Sequence, residues 1–174
     1  MPASFYLAYQ SPFIIHCFKR LALQAFLLLI SIPAFAELYR VVAVSDGDTL
    51  TVEPIEGGDR AKVRLHGIDA PELRQPYGEA AKTFTFNTIL FKEIEVRPEP
   101  QGTDRYGRIV AVVEIPGTGI LQELLLEAGL AWVYPSYCRD CSGWETIQEQ
   151  ARGQRKGLWT DENPVEPWEW RKRR

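Results

Sequence analysis

Acidic and basic side chains that could act on a phosphate group concentrate in three short segments of the chain. Residues 46–49 read Asp-Gly-Asp-Thr, residues 64–72 place an Arg five residues before an Asp-Ala-Pro-Glu sequence, and residues 104–108 read Asp-Arg-Tyr-Gly-Arg. Carboxylate and carbonyl oxygens are the ligands that Ca²⁺ prefers, whereas the planar fork of an Arg matches a pair of phosphate oxygens. Together the segments indicate a cation site beside a phosphate-binding site.

Five residues carry this hypothesis. Asp48 and Asp69 are the candidate cation ligands, and the backbone carbonyl of Ala70 is a third, because the proline that follows biases Ala70 toward extended backbone angles and fixes the direction of that carbonyl. Arg64 and Arg108 are the candidate phosphate-binding pair. Taken singly, each segment is more often a solvated loop than a site. The hypothesis therefore requires all three segments to meet in the fold.

Five short strands are predicted to position these residues. Alternating apolar and polar residues, bounded by Gly, Pro and Asp, are typical of β-strands. The predicted strands are Leu38–Val44, Leu50–Glu53, Lys62–His66, Ile94–Arg97 and Ile109–Ile115. In the third strand, Val63 and Leu65 would face the core, and Arg64 and His66 would share the opposite face.

Three helices are predicted between and after the strands, from apolar residues that recur at helical spacing. These positions are Ala81, Phe84, Thr88 and Phe91 in the first helix, Leu121, Leu124, Leu125 and Ala128 in the second, and Trp144, Ile147 and Ala151 in the third. Ser142 and Glu145 form a capping-box pattern at the start of the third helix, and Gly157 supplies a stop. This order of elements fits an α+β fold, a five-stranded OB-type Greek-key β-barrel with three α-helices.

The first 36 residues have the pattern of a secretory signal. Lys19 and Arg20 precede an apolar run at residues 21–32, and residues 34–36 read Ala-Phe-Ala, a small-x-small sequence of the type that signal peptidases cut. The run is shorter than the ~20 apolar residues that a bilayer-spanning helix needs. We therefore expect cleavage after Ala36, export to the periplasm or the extracellular space, and no stable membrane association. An uncleaved membrane anchor is the alternative.

Length and charge limit the other possibilities. The chain has 174 residues, 45% of them hydrophobic, which suffices for one core and is short for two domains. Beyond residue 36 it holds 18 Lys and Arg against 23 Asp and Glu, so a nucleic acid would have to be attracted by local Arg clusters and a bound cation.

We assign residues 37–163 to one domain and residues 164–174 to a Trp-rich basic tail, which either docks on the barrel or holds nucleic acid. A monomer is expected.

Cys138 and Cys141 are the only cysteines after the predicted signal. In an exported protein, the C-x-x-C spacing favours a disulfide that closes one loop. A structural zinc site needs four ligands, and His66 is the only histidine in residues 37–174, so a zinc finger is excluded. No strand precedes the pair, as a thioredoxin-like redox motif would require.

In order and spacing, the segments resemble the successive signature blocks of the staphylococcal nuclease family. The matching blocks lie at residues 44–49, 63–72, 77–80 and 103–108, with shorter matches at 129–131 and 157–159. The resemblance therefore covers nearly the whole chain after residue 36. It implies an OB barrel with three helices, the fold that the strand and helix patterns indicate independently.

The resemblance also implies a calcium site. In it, Asp48 and Asp69 are the ligating carboxylates and the Ala70 carbonyl is a further ligand. The family archetype has Thr at the position of Ala70, but ligation there uses the backbone. Cation binding is therefore expected to survive this difference.

For catalysis, the resemblance implies that Glu72 is the general base. Arg64 and Arg108 would hold the scissile phosphate and neutralise its growing charge, and Arg105 and Tyr106 match positions that contact the neighbouring phosphate. We therefore expect a calcium-dependent endonuclease that hydrolyses DNA and RNA, preferentially single-stranded and with little sequence specificity. The resemblance implies 3′-phosphate products.

The alternative function is a non-catalytic OB-fold module that binds nucleic acid or glycan. Degenerate relatives of the family behave in this way, and they have lost carboxylates or arginines. All of the implied catalytic and cation-binding residues are present here. This favours the enzyme.

Overall fold

The computed structural model describes residues 37–138 and 141–173. The strands are β1 (Glu37–Val44), β2 (Thr49–Pro54), β3 (Ala61–Leu65), β4 (Ile68–Asp69), β5 (Glu93–Thr103), β6 (Ile109–Ile115), β7 (Gly119–Ile120) and β8 (Trp132–Val133). The helices are α1 (Gly78–Ile89), α2 (Leu121–Glu127), α3 (Ser142–Gly153) and α4 (Pro167–Lys172), with short 3₁₀ turns at Pro135–Tyr137 and Gly157–Thr160. The predicted signal segment lies outside the described residues.

Five of the strands close into a barrel. The strand order is β3-β2-β1-β5-β6, and β3 also pairs in parallel with β6, with Arg64 opposite Val110. The short β7 extends β6 at the edge, and β4 pairs with β8 in a separate two-stranded sheet. The predicted OB-like α+β barrel is therefore confirmed.

The barrel interior is filled by the alternate residues that the sequence pattern selects. Leu50, Val52, Val63 and Leu65 are fully buried, or nearly so, in β2 and β3. The register of β1 against β2 shifts at Val41, where a bulge bends the strand. Such bulges let one strand serve two sides of a closed barrel.

The predicted apolar face of the first helix is confirmed at Ala81, which is buried, and at Phe84, which packs against the core, but it is wrong at Phe91. The buried residues of α1 are Gly78, Ala81, Thr85 and Ile89, whereas Phe91 lies beyond the end of the helix and is 70% exposed. The Thr85 hydroxyl donates a hydrogen bond to the Gly47 carbonyl at 2.8 Å, so a polar residue occupies the core side of the helix. Hydrophobicity alone selects the exposed Phe91 and misses the buried Thr85.

The C-terminal half contains one more helix than predicted. Residues 167–172 of the predicted tail form α4, which makes four α-helices in the described part of the chain. The capping-box prediction is also wrong, because Ser142 is the first helical residue and Cys141 takes the N-cap position without a side-chain cap. Cys141 is joined to Cys138 by a disulfide just before α3, which ends at Gly153.

One buried polar side chain ties α2 to the barrel. Gln122 is 0% exposed, and its amide donates to the carbonyl of Ala111 at 3.0 Å and accepts from the N–H of Val113 at 3.2 Å. Both partners are backbone groups of β6, the strand that closes the barrel. Without Gln122, the Val113 N–H would lose this buried acceptor, and the Ala111 carbonyl would keep only the hydrogen bond from the His66 backbone N–H.

We therefore predict that Gln122→Leu lowers the free energy of unfolding by about 1–3 kcal/mol, the usual cost of leaving buried polar groups unpaired. Urea unfolding followed by far-UV circular dichroism measures this change. Gln150→Leu, at an exposed position on α3, is the matched control and should change little. Equal effects of the two substitutions would contradict the assigned role of Gln122.

Candidate active site

Asp48 occupies the turn between β1 and β2, where its carboxylate is held by hydrogen bonds. Its Oδ2 accepts from the backbone N–H of Ala70 at 2.6 Å, and its Oδ1 accepts from the Thr49 hydroxyl at 3.2 Å. The Asp46 carboxylate accepts from the backbone N–H of Asp48 at 3.1 Å. Asp48 is only 5% exposed, so the turn delivers its side chain to the interior.

Close packing around Gly47 brings this turn against the residues that follow β4. A Cβ at position 47 would stand 2.7 Å from the Cβ of Ala70 and 2.8 Å from that of Ala81, closer than carbon atoms can pack. Only glycine therefore allows the turn, the Ala70 segment and α1 to approach this closely. The approach sets Asp48 beside the backbone of Ala70.

Arg64 joins the two candidate cation ligands. Its Nη1 lies 2.7 Å from Asp48 Oδ2, and its Nη2 lies 2.6 Å from Asp69 Oδ1. Arg64 projects from β3 and Asp69 from β4, and Asp69 is only 1% exposed. A single guanidinium fork therefore holds two carboxylates in the protein interior.

Burial shifts the proton affinity of both aspartates. It raises the pKa of Asp48 to about 6, against the opposing charge of Arg64 and with a further upward contribution from Asp46. Burial also raises the pKa of Asp69, although Arg171 and Arg64 oppose the shift. The neighbouring guanidiniums therefore do not fully offset the cost of removing these two carboxylates from water.

This donor set fits a hard cation. Two buried carboxylates, beside the backbone of Ala70, offer the oxygen ligands that Ca²⁺ takes. In the part of the chain that the structure describes, no three carboxylate, imidazole or thiolate side chains group as a metal centre. A cation here would therefore depend on the two aspartates, backbone oxygen and water.

Glu72 lies in the loop between β4 and α1. The backbone N–H of Glu72 donates to Gln75 Oε1 at 3.1 Å, and the Glu72 carbonyl accepts from the backbone N–H of Gln75 at 2.7 Å. A Cβ at Gly78 would overlap that same carbonyl. The first residue of α1 therefore fixes the backbone from which the Glu72 carboxylate projects.

Arg171 of α4 also belongs to this cluster, and the sequence analysis missed it. Its Nη2 lies 2.8 Å from Asp69 Oδ2, and its Nη1 lies 2.9 Å from Glu72 Oε1. Burial lowers the pKa of Arg171, but its hydrogen bonds to these carboxylates outweigh that effect and raise it. No local pattern marks Arg171, which stands among other basic residues at positions 171–174.

Arg108 stands at the edge of the cluster. Its Nη1 donates to the Thr49 hydroxyl at 3.4 Å, and that hydroxyl in turn donates to Asp48. Its Nε donates to Asp104 Oδ2 at 2.7 Å. Burial would raise the pKa of Asp104, but hydrogen bonds from the side chain and backbone of Arg108 outweigh it and lower the pKa. Asp104 therefore stays ionised and orients the Arg108 fork.

The other two candidate substrate residues form an exposed basic and aromatic surface. Tyr106 is 67% exposed, and the guanidinium carbons of Arg105 and Arg108 lie 4.8 Å and 5.4 Å from the centre of its ring. Arg105 also donates to the Tyr106 hydroxyl at 2.6 Å. These residues lie together with Arg108 and apart from the buried carboxylates.

His66 has different neighbours from Arg64. Its Nε2 lies 3.8 Å from Glu99, and its ring centre lies 6.4 Å from that of Trp144. The expected shared face of Arg64 and His66 is wrong, because β3 ends at Leu65 and His66 starts the following turn.

Comparison with known proteins gives one consistent family. Residues 62–161 match the family model described as "Staphylococcal nuclease homologue". The chain is 35% identical over 164 residues to a Shigella flexneri protein named micrococcal nuclease, covering 88% of this chain and 91% of that protein. It is 41% identical over 133 residues to an uncharacterized endonuclease of Haemophilus influenzae, covering 76% of this chain and 72% of that protein.

The barrel, the carboxylate and guanidinium cluster and these similarities define a phosphodiester-cleaving hydrolase. The chain belongs to the staphylococcal nuclease family. An Escherichia coli protein named uncharacterized endonuclease is a further relative, 38% identical over 135 residues, which cover 78% of this chain and 85% of that protein.

The raised pKa of Asp48 predicts a pH dependence of stability. Folding raises this pKa from 3.8 to about 6, so the folded protein binds more protons than the unfolded chain between those values. With a chelator present, the free energy of unfolding of the wild type, relative to Asp48→Asn, should therefore fall by about 2 kcal/mol from pH 4 to pH 7. Urea unfolding at intervals of one pH unit measures the difference.

Asp59→Asn is the control for this measurement. Asp59 is exposed in the segment between β2 and β3, so Asp59→Asn should show the same dependence of unfolding free energy on pH as the wild type. A wild-type profile parallel to that of Asp48→Asn would contradict the prediction.

Proposed function

We propose that this nuclease is a calcium-dependent endonuclease that hydrolyses DNA and RNA, preferentially single-stranded and with little sequence specificity, leaving 3′-phosphate ends. The observation that carries the proposal is the bridge from Arg64 to the buried Asp48 and Asp69, with Glu72 in the same cluster. The nuclease names of the similar proteins support a nucleic acid substrate.

Asp48, Asp69 and the backbone of Ala70 are the residues that would hold the calcium ion. When bound, such an ion supplies Lewis-acid stabilisation of a phosphate oxygen and orients water. Its affinity would come from two carboxylates that are buried and therefore weakly hydrated, so that a cation would have little water to displace from them. The preference for oxygen ligands favours Ca²⁺ over a soft transition metal.

Glu72 would accept a proton from the attacking water. Its carboxylate is partly exposed and lies at the entrance to the buried aspartates, where it shares Arg171 with Asp69. A general base needs this combination of solvent access and fixed position. The hydroxide so formed would attack phosphorus in line with the leaving oxygen.

Arg64 and Arg108 would stabilise the charge that develops on the phosphate oxygens. Both side chains are already held in place, Arg64 by two aspartates and Arg108 by Asp104. Donors fixed before the reaction need no reorganisation during it, and each typically contributes about 2.7–4 kcal/mol to lowering a barrier.

The exposed surface of Arg105 and Tyr106 favours a single-stranded substrate. An open aromatic ring flanked by guanidiniums suits a nucleotide with an accessible base and phosphate. Stacking and charge contacts do not distinguish the four bases, which is why we propose little sequence specificity. The non-catalytic alternative would need this surface but would not need Glu72 at the carboxylate cluster.

We further propose that the protein is exported after cleavage of residues 1–36. The disulfide between Cys138 and Cys141 supports an oxidising compartment. Within residues 37–138 and 141–173, none of the helices has the length and apolar character to cross a bilayer. The alternative remains a membrane-anchored form of the same enzyme.

The activity is tested on denatured DNA with the wild type, with and without a calcium chelator, and with Glu72→Gln. We expect cleavage with Ca²⁺, none with chelator, and a loss of at least ~100-fold in rate for Glu72→Gln, because the amide cannot accept the proton. Glu79→Gln, exposed in the first turn of α1, is the control and should retain activity. Binding without cleavage by the wild type would favour the non-catalytic module.

Export is tested by mass spectrometry of the protein recovered from the periplasm and the medium of expressing cells. We expect a mature N-terminus at Glu37. Replacing Ala34 and Ala36 with Arg should block cleavage, because signal peptidases require small residues at these positions. A wild-type protein that retains residues 1–36 in the membrane fraction would contradict cleavage and support the anchor.

A further inference from the structure

Arg171 occupies oxygens that the proposed cation site also needs. Asp69 presents its Oδ1 to Arg64 and its Oδ2 to Arg171, so both of its oxygens accept charged hydrogen bonds. The same Arg171 guanidinium reaches Glu72 Oε1 at 2.9 Å. One side chain of α4 thus holds the candidate ligand Asp69 and the candidate base Glu72 together.

Packing of the C-terminal segment keeps Arg171 at this place. The Trp168 ring stacks on Tyr134 with a centre-to-centre distance of 4.8 Å and an angle of 4°, and it meets Trp132 edge-on at 6.2 Å. Pro167, at the start of α4, is buried. The packing of Trp168 on Tyr134 and Trp132 therefore places Arg171 beside the carboxylates.

A hydrogen bond through Gln75 couples this segment to the Glu72 loop. The buried Gln75 side chain donates to the Val165 carbonyl at 2.6 Å and accepts from the Glu72 N–H at 3.1 Å. The oxygen of the Gln75 amide thus bonds the Glu72 loop, and its nitrogen bonds Val165, in the segment that leads into α4. The hydrogen bonds of Gln75 and the packing of Trp168 therefore fix the backbone of α4 relative to the Glu72 loop.

A guanidinium and a metal ion cannot use the same carboxylate oxygen lone pairs at once. The side chain of Arg171 is 42% exposed, whereas that of Asp69 is 1% exposed, so the guanidinium can swing into solvent but the carboxylate cannot. Coordination of a cation through the lone pair of Asp69 Oδ2 that Arg171 occupies would therefore displace Arg171 and leave Asp69 in place. The free energy needed to break these charged hydrogen bonds would weaken the binding of the cation.

We propose that Arg171 is an internal competitor of the divalent cation, a C-terminal clasp on Asp69 and Glu72 that sets the cation concentration at which the nuclease becomes active. The proposal rests on the proposed calcium dependence. It assigns to α4 a role in the active site that neither the predicted strands nor the signature blocks indicate. Arg171 is a positioning residue in this scheme, because it acts through the two carboxylates.

The test is a calorimetric titration of Ca²⁺ into the full-length protein as recovered from expressing cells, without nucleic acid. Arg171→Gln should bind Ca²⁺ about tenfold more tightly than the wild type, since hydrogen bonds to charged groups are typically strong enough for such a change. Arg171→Lys keeps the charge but cannot bond both carboxylates through two parallel N–H groups. Its affinity should lie between those of the other two proteins.

Arg173→Gln is the control for long-range charge. It removes one positive charge from the same end of the chain at an exposed position, and it should change the calcium dissociation constant less than twofold. Equal tightening by Arg171→Gln and Arg173→Gln would overturn the clasp, as would unchanged or weaker binding by Arg171→Gln. Near-UV circular dichroism of the Trp residues checks that each variant keeps α4 docked.

Thermal unfolding with chelator and with Ca²⁺ gives a second measurement. Arg171→Gln should melt below the wild type in chelator, because it lacks the ion pairs, and should gain more than the wild type from added Ca²⁺. If neither protein binds Ca²⁺ in the titration, the proposed calcium dependence fails and the clasp fails with it. If both bind with the same affinity, only the clasp fails.

Discussion

The burial of two carboxylates against one guanidinium is the constraint on which the active site depends. Asp48 and Asp69 lose most of their hydration in the folded protein, and Arg64 is the side chain that contacts both of them. Ion pairs in a protein interior are stabilising only when the geometry is good and the remaining oxygens are hydrogen-bonded. The Ala70 N–H and the Thr49 hydroxyl meet that requirement at Asp48. The barrel must therefore bring Arg64, the Ala70 N–H and the Thr49 hydroxyl to these carboxylates for their burial to be stable.

Barrel closure also explains why the site comes from distant parts of the sequence. The parallel pairing of β3 with β6 sets the strand that carries Arg64 beside the strand that follows Arg108. The turn at Asp48 meets the loop after β4 because glycine at position 47 permits the contact. The resulting cluster brings Arg64 and Arg108 together with the carboxylates, and this is the local positive charge that our proposed phosphate binding needs in a chain with a net negative charge.

The strands and the carboxylate and arginine segments could be predicted because their signals are local. Period-two alternation marks β2, β3 and β6, and residues 46–49, 64–72 and 104–108 have chemistry visible in a few adjacent residues. Arg171 could not be predicted, because its role depends on the docking of Trp168 on Tyr134. The burial of Thr85 on α1 could not be predicted for a similar reason, since its hydrogen bond to Gly47 is a tertiary contact.

The hydrogen bonds of Gln75 have a practical consequence for work with this protein. They connect the backbone of the Glu72 loop to Val165, and Arg171 follows only six residues later. An affinity tag or fusion partner attached after Arg174 would therefore begin four residues after Arg171, which contacts Asp69 and Glu72. A protein expressed without a tag after Arg174, or with that tag removed, keeps the contacts of Arg171 with Asp69 and Glu72 unaltered for assay.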